Sequence, residues 1–397
     1  LLRIKLFKVK ILKQIYRISL RECGILMKNP IYGFCMVVFP LLVFFFFTSL
    51  LNEGVPEDIP VGVVDLDNTS TTRSMVRHLD SFQTSHVVAH FNNINDARHA
   101  IQQGKIYAFL YIPKGTTEGM MASKQPKVSF YYNGVVMLAG SMTFRDLKTV
   151  TTLGSAAMGK AKLSALGRTE NEIRAFLQPI VVDLHMVNNP WGNYNVYLST
   201  TMAPGVLMIF IFLITAYSIG TELKFNRSKE WLALADNNIY VAMLGKMLPQ
   251  TLIFLTVFYI FEFYIFHTLG FPHQGGTISI LLLGLLAVLA CQGFGIFAFG
   301  LMPSLRMSMS ICSLWAVLGI SASGATFPTF AMNPMITALA QLFPLRHYFM
   351  FYQICVFNGY PYVDAFPNIC ALCFFSILPL FTLWNTRKAM LEYIYIP

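Results

Sequence analysis

Long apolar segments alternate with polar ones along most of the chain. Segments of roughly 18 or more apolar residues are long enough to cross a bilayer as a helix. Six segments reach this length: residues 31–51, 197–220, 248–270, 277–303, 307–327 and 365–384. The first is too long for a signal peptide and lacks a small-residue cleavage site. The pattern therefore predicts a membrane α-helical protein with six transmembrane helices.

A second periodicity marks the N-terminal stretch, residues 1–30. At the helical repeat, its apolar positions fall on one stripe: Ile4, Phe7, Ile11, Ile15 and Ile18. Its basic positions gather on another: Lys10, Lys13, Arg17 and Arg21. A helix with two such faces is typical of a membrane surface, so residues 2–21 are predicted to form a cytoplasmic interfacial amphipathic helix. A basic flank without helical order is the alternative.

Residues 52–196 are polar enough to form a domain outside the membrane. Apolar runs at 59–67, 86–91, 106–113 and 127–134 are predicted strands, and short helices are predicted near 70–80 and 95–104. Strands that alternate with helices favour an α/β fold. None of the seven cysteines lies in this segment, so no disulfide framework is expected there. We expect an inserted extracytoplasmic (periplasmic) α/β domain.

One apolar segment, ATFPTFAMNPMITALAQLFPLRHY (325–348), does not fit the pattern of the spans. Pro328, Pro334 and Pro344 interrupt it, and Arg346 lies near its end. Counting it as a seventh span would place the basic pair at 387–388 on the side opposite the basic N-terminal stretch. Broken backbone is tolerated at membrane depth where protein or water satisfies it. Residues 328–348 are therefore predicted to enter the membrane and return, as a re-entrant helical hairpin before the last span.

Composition and charge agree with a membrane protein. The 397 residues are 55% hydrophobic and 12% charged, whereas soluble domains carry about 25% charged residues. Basic residues that flank spans remain in the cytoplasm. The sequence thus predicts a multi-pass protein of the cell inner membrane with both termini in the cytoplasm. Topology and anionic lipid explain the net charge of +10, and no nucleic-acid partner is expected.

No motif indicates catalysis or a bound metal. The phosphate-binding pattern G-x-x-x-x-G-K-[ST] is absent from the sequence, so this chain is not expected to hydrolyse ATP itself. His86 and His90 would lie about 13 Å apart on a strand, too far for one metal ion. Asp65 and Asp67 follow a predicted strand and indicate turn chemistry. Glu262 is an ionisable residue inside a span and hence a functional candidate; it could line a pathway, pair across an interface or lie shallow.

Residues 221–248, between the second and third predicted spans, are too polar to cross a membrane. Charged residues alternate there with Trp231, Leu232 and Leu234. A short amphipathic helix of this kind suits docking into a groove on a cytoplasmic protein. An ordinary loop between helices is the alternative.

Several motifs, in order along nearly the whole chain, resemble the membrane subunit of ABC exporters of the type-2 (type V) permease family. The resemblance is to the bacterial branch with a large periplasmic domain after the first span. The motifs are PVGVVDLDNTSTTRS (60–74), GKIYAFLYIPKG (104–115) and NPWGNYNVYLSTTMAPG (189–205). Residues 226–237 resemble the coupling helix of the family, although Asn226-Arg227 stands where the family more often has Gly-Thr.

The resemblance implies partners and site residues. Cytoplasmic ABC ATPase subunits would bind ATP and Mg, with no cofactor in this chain, and a second permease copy or a paralogue would form a dimer with it. The implied ATPase-coupling residues are Glu222, Lys224, Arg227, Lys229, Glu230, Trp231, Leu232 and Lys246. Spans two and five would line the pathway, for which the candidates are Met208, Phe212, Trp315 and Ser321, with Glu262 as an ionisable one. The re-entrant element would contain Pro328, Pro334, Pro344 and Arg346. The interfacial helix would pack beside the coupling helix, and a periplasmic adaptor is a further implied partner.

The expected function is ATP-driven export of an amphipathic or lipid-like substrate or drug. One alternative is a mechanotransmission protein that acts on a periplasmic partner without transport. The other is a secondary carrier. The sequence does not identify the substrate.

Overall fold

The computed structural model describes residues 2–122, 124–181, 183, 185, 189 and 192–393, with the side chains of residues 2–8 left out. The motif at 189–205 is therefore described except for residues 190–191. The chain divides into two compact units. Residues 1–52 and 187–397 form one, called here the membrane unit, and residues 53–186 form the other, the inserted unit.

A long helix, Leu2–Lys28, opens the membrane unit and is called here the N-terminal helix. It continues beyond residue 21, where the predicted amphipathic helix ended. The side chain of Asn29 accepts a hydrogen bond from the backbone N–H of Ile31, and Pro30 occupies the first turn of the next helix. Proline is favoured there because its missing N–H would have no partner in any case. The break separates the N-terminal helix from span 1, Pro30–Leu50.

A four-stranded sheet organises the inserted unit, in the order β2-β1-β3-β4. Its strands are β1 (Ile59–Asp65), β2 (Ser85–His90), β3 (Ala108–Ile112) and β4 (Ser129–Tyr132). Strand β1 runs parallel to β2 and β3, and β4 is antiparallel to β3. The helices of this unit are Ser70–Asp80, Ile94–Gln102, Thr116–Met121, Met137–Ala165 and Glu170–Leu177.

Helices cover both faces of the sheet. Val61 and Val63 of β1 pack in one cluster with the helices Ser70–Asp80 and Met137–Ala165. Val64 lies in a second cluster, with Ala97 and Ala100 of the helix Ile94–Gln102. Alternate residues of a strand point to opposite faces, and a strand buried on both faces reads as the continuous apolar run found at β1.

Five further helices of the membrane unit are long and apolar enough to cross a membrane. They are span 2 (Tyr194–Lys224), span 3 (Ile239–Thr268), span 4 (Gly276–Leu301), span 5 (Leu305–Ala322) and span 6 (Phe366–Glu392). With span 1, the described residues contain six candidate spans, the number that the sequence predicts. Span 3 begins at Ile239 and not at the predicted residue 248, because Lys246 is buried against carboxylates and does not end the helix.

Span 4 packs closely against span 6 through a glycine. A side chain at Gly293 would overlap the backbone of Phe375 and Ser376. Small residues at such positions let two helix backbones approach. Gly293 of span 4 therefore serves helix packing.

Short helices fill the segment between spans 5 and 6, called here the proline-broken segment (328–348). A single turn covers Thr329–Ala331, and the helices Pro334–Ala340 and Pro344–Phe351 follow. Each of these two helices begins with its proline, and the side chain of Asn333 caps the first by accepting from the N–H of Met335. The prolines thus start helices and do not merely interrupt one.

Candidate functional site

Four charged side chains meet inside the membrane unit, and this group is called here the charged cluster: Arg21, Glu22, Glu222 and Lys246. Arg21 donates two hydrogen bonds of 2.8 Å, one to each carboxylate oxygen of Glu222. Lys246 Nζ lies 2.7 Å from Glu22 Oε2 and 2.9 Å from Glu222 Oε1. The cluster joins the N-terminal helix, the end of span 2 and the first turns of span 3.

Three members of the cluster are buried and Arg21 is partly buried, and the two positive charges balance the two negative ones. Glu22 and Glu222 are 0% exposed and Lys246 is 1% exposed. Gln250 donates from Nε2 to Glu22 Oε1 at 3.0 Å and to Ser218 Oγ at 2.9 Å. Burial lowers the pKa of Arg21, but its hydrogen bond and charge attraction to Glu222 outweigh burial and raise that pKa above its ordinary value. Two cations facing two carboxylates can remain ionised without water, provided that all four are present.

The short helix Ser228–Ala233 lies against this cluster. Trp231 and Leu232 are 0% exposed, and the ammonium of Lys246 sits 5.5 Å from the centre of the Trp231 ring. A cation over an indole face is a favourable contact, more so when it is desolvated. The buried face of the short helix therefore holds it to the membrane unit.

The opposite face of the short helix is open. Lys224, Lys229 and Glu230 are exposed. The guanidinium of Arg227 lies 5.2 Å from the ring of Phe225. Of the implied ATPase-coupling residues, the structure thus places Glu222, Trp231, Leu232 and Lys246 inside, Arg227 in a partly buried position, and Lys224, Lys229 and Glu230 on the surface.

The N-terminal helix packs beside the short helix and the turn that follows it. Lys10 Nζ lies 2.6 Å from Asp236 Oδ2, and Gln14 Nε2 donates to the same oxygen at 2.7 Å. These two contacts hold the pKa of Asp236 below its ordinary value. Lys13 and Arg17 are exposed and line the groove between the two helices.

A close approach fixes the N-terminal helix on span 3. A side chain at Gly245 would come within 2.8 Å of Ile18 Cβ, and Ser19 Oγ donates to Gly245 O at 2.8 Å. Ile11 and Ile15 pack on the cluster that contains Ile18 and Trp231. Ile11, Ile15 and Ile18, the described side chains of the predicted apolar stripe, therefore pack inside the membrane unit.

Three of the proposed pathway residues meet in one cleft between span 2, span 5 and the proline-broken segment. Met208, Phe212 and Trp315 line it, together with Phe343, Pro344 and Leu345. Trp315 Nε1 donates to Leu342 O at 3.1 Å, and its ring lies 4.8 Å from that of Phe343. The cleft has a free volume of about 10 Å³, room for one water at most. It is closed in this structure.

The remaining candidates lie elsewhere. Ser321 is exposed and donates to Val317 O, and Glu262 is 3% exposed in span 3, with no hydrogen-bond partner for Oε1 among the described residues. Arg346 is partly buried beside Gly324, and its Nε and Nη1 also have no partner there. No group of three or more His, Cys, Asp or Glu suited to a metal ion occurs in the described part of the chain.

Comparison with known proteins gives the family. A model of the ABC-2 family transporter protein matches residues 31–384. The chain belongs to the ABC-2 transporter family. One curated relative, the linearmycin resistance permease protein LnrN of Bacillus subtilis (strain 168), is 20% identical over 351 residues, which is 84% of this chain and 89% of that protein.

Membership of the ABC-2 transporter family gives this protein its general role. It is a multi-pass membrane protein and the permease subunit of an ABC transporter; such subunits are not catalytic and work with ATPase partners. The sequence analysis did not identify Glu22, a member of the charged cluster, or Gln250, which donates a hydrogen bond to it. The signal for Glu22 is that it is the one carboxylate in the basic first 30 residues.

Proposed function

We propose that this permease subunit exports an amphipathic molecule, a lipid-like compound or drug, from the cytoplasm or the inner leaflet. Its end with the charged cluster faces the cytoplasm, as do both termini, and the inserted unit is periplasmic. Two copies, or one copy and a paralogue, form the pathway in the inner membrane, and two cytoplasmic ATPase subunits bind ATP and Mg. The proline-broken segment is re-entrant from the periplasmic side.

The observation that carries the proposal is the charged cluster. It connects the N-terminal helix with spans 2 and 3 through contacts shorter than 3 Å. The short helix joins it through Trp231, whose ring lies 5.5 Å from the Lys246 ammonium. A force applied to the short helix therefore moves span 2 as well. Span 2 also lines the closed cleft, so ATPase closure would change the cleft between spans 2 and 5.

The name of the relative supports the substrate class. That protein is a linearmycin resistance permease, and resistance to a drug fits removal of an amphipathic molecule. The apolar lining of the cleft fits the same class.

The test reverses two exposed charges of the short helix. Lys229→Glu with Glu230→Lys should leave insertion and thermal stability unchanged while co-purification of the ATPase falls sharply. The matched control is Lys105→Glu with Glu118→Lys, which reverses two exposed charges in the inserted unit. Wild-type recovery of the ATPase with the first pair would contradict docking at the short helix.

Transport is tested separately in inside-out vesicles that contain the permease and its ATPase. We expect ATP-dependent accumulation of a fluorescently labelled fatty acid or drug, lost when the ATPase is omitted. Hydrolysis without accumulation of any amphiphile would favour mechanotransmission, and ATP-independent accumulation would favour a secondary carrier.

A further inference from the structure

The inserted unit contains a hollow beside its long helix, Met137–Ala165. The hollow has a volume of about 600 Å³ and is bounded by that helix, by the helix Thr116–Met121 and by the segment that leads into β4. A second hollow of about 510 Å³ shares Met75 and Met158 with the first and extends along the same helix. Small-molecule sites in proteins typically have volumes of this order, 300–1,000 Å³.

Methionine dominates the apolar lining. Met75, Met120, Met121 and Met158 surround the hollow. Met121 is 64% exposed, although it is a large apolar side chain. Thioether side chains are flexible and polarizable, and surfaces rich in them accept apolar chains of differing shape. The lining therefore suits an alkyl chain better than a rigid polar ligand.

The charged residues of the lining all carry the same sign. Lys124, Lys127 and Lys162 line the hollow, and the described lining residues include no aspartate or glutamate. Lys124 and Lys127 are exposed at its edge. An apolar hollow with a cationic edge complements a molecule that has an apolar chain and an anionic head.

We propose that this hollow binds a single-chain amphiphile with an anionic headgroup, a carboxylate or a phosphate. The alkyl chain lies among the methionines along the long helix, and the headgroup pairs with Lys124 and Lys127. Binding is a property of the inserted unit alone. Whether the bound amphiphile is then exported rests on the proposed function.

The test uses the full chain in phosphatidylcholine nanodiscs without any ATPase, so that its outcome does not depend on coupling or transport. The probes are dodecanoate and dodecyl phosphate that carry a photoreactive diazirine in the chain. After illumination, we expect labelled peptides from 116–129 and 151–162. The neutral dodecanol analogue and the cationic dodecyltrimethylammonium analogue should label them far less.

A matched pair of variants tests the apolar part. Ser155 lines the hollow and Ser141 lies on the same helix outside it, and both are exposed. Ser155→Trp should fill the hollow and abolish labelling, whereas Ser141→Trp should not. Thermal unfolding of both variants checks that they fold. Equal labelling of the two would overturn the site.

A second pair tests the headgroup. Lys124→Gln with Lys127→Gln should lower labelling by dodecanoate about fivefold, the scale expected from the loss of exposed ion pairs. Lys105→Gln with Lys148→Gln changes exposed lysines outside the hollow and should have no effect. Equal labelling by the dodecanol analogue would overturn the anionic assignment. If dodecanoate labels and dodecyl phosphate does not, the headgroup is a carboxylate, and the reverse result assigns a phosphate.

Discussion

At the scale of single residues, the charged cluster is stable because its two carboxylates are paired with two cations. Each carboxylate faces at least one cation within hydrogen-bonding distance, and Lys246 serves both. Taking a charge out of water is costly, and the cost is recovered only while its partner is present. Replacing one member should therefore destabilise the protein far more than replacing one cation together with one carboxylate.

Lys246→Met should destabilise the protein by about 3–5 kcal/mol, the cost of leaving buried carboxylates without their cation. The measurement is the thermal unfolding midpoint of the purified permease. Adding Glu22→Gln to Lys246→Met leaves the pair of Arg21 and Glu222 intact and should recover part of the loss. Lys388→Met, at an exposed lysine, is the control. A double variant no more stable than the single one would contradict charge balance.

Asp67 gives the inserted unit a pH-dependent contact. Its carboxylate accepts from the N–H of Gly115 at 2.8 Å and from Thr117 Oγ at 2.6 Å. Burial opposes ionisation of Asp67, but the hydrogen bonds from Thr117 and Gly115 outweigh it and lower the pKa from 3.8. A lowered pKa stabilises the folded state above the ordinary value, and this stabilisation is lost as pH falls through the lower one.

Amide exchange of Gly115 and Thr117 should accordingly be slow at neutral pH and lose its protection below about pH 3.8. Hydrogen–deuterium exchange with mass spectrometry, corrected for the intrinsic pH dependence of exchange, measures this. Asp67→Asn should reduce protection at neutral pH and remove the acid-dependent step. A step of the same size in that variant would show that another group controls the loop.

At the scale of elements, the N-terminal helix and the short helix act together because of one close backbone approach. Gly245 lets the N-terminal helix reach span 3, and the same packing brings Lys10 and Gln14 to Asp236. Packing and polar contacts thus depend on the same spacing between helices.

Gly245→Leu should push the N-terminal helix away from span 3 and weaken ATPase coupling without direct contact to the ATPase. In a cysteine-free background, Gln14→Cys with Asp236→Cys should be joined efficiently by a short bis-maleimide reagent. Adding Gly245→Leu should reduce the yield severalfold. Gly24→Leu, at a position with open space around it, is the control. An unchanged yield with the Gly245 variant would indicate that the two helices do not depend on this approach.

At the scale of the whole molecule, the membrane unit has a closed cleft at some distance along span 2 from the charged cluster. Spans 2 and 5 and the proline-broken segment meet there. If the cleft is the pathway, transport requires these three elements to separate. Holding two of them together should block transport and leave ATPase binding intact.

A disulfide can make this test. A Cβ atom at Gly319 would lie 3.5 Å from Phe343 Cβ, within the range of disulfides. In a cysteine-free background, oxidation of Gly319→Cys with Phe343→Cys should stop ATP-dependent accumulation in vesicles, and reduction should restore it. Each single variant, oxidised alone, is the control. Transport that continues in the oxidised double variant would exclude this cleft as the pathway.

Some features of this protein are decided within short stretches of its sequence. Six spans follow from apolar length, because the cost of burying polar backbone in lipid acts on each helix separately. The strands of the inserted unit follow from apolar runs between turn residues, and the predicted runs at 59–67, 86–91, 106–113 and 127–134 each overlap an observed strand. Pro334 and Pro344, which the sequence shows as interruptions, each begin a helix for a local reason too, because a proline in the first turn lacks only an N–H that would have no partner.

Tertiary structure alone decided which residues of the candidate site are buried and which are exposed. Trp231 and Lys246 look like surface residues in the sequence, yet both are buried. Lys246 meets Glu22, which lies 224 residues away along the chain, and Trp231 packs in one cluster with Ile18 of the same N-terminal helix. Likewise, Met208 and Trp315 share a cleft only because spans 2 and 5 pack together. Burial of a charge depends on its partners, and helical periodicity contains no information about partners some 200 residues away.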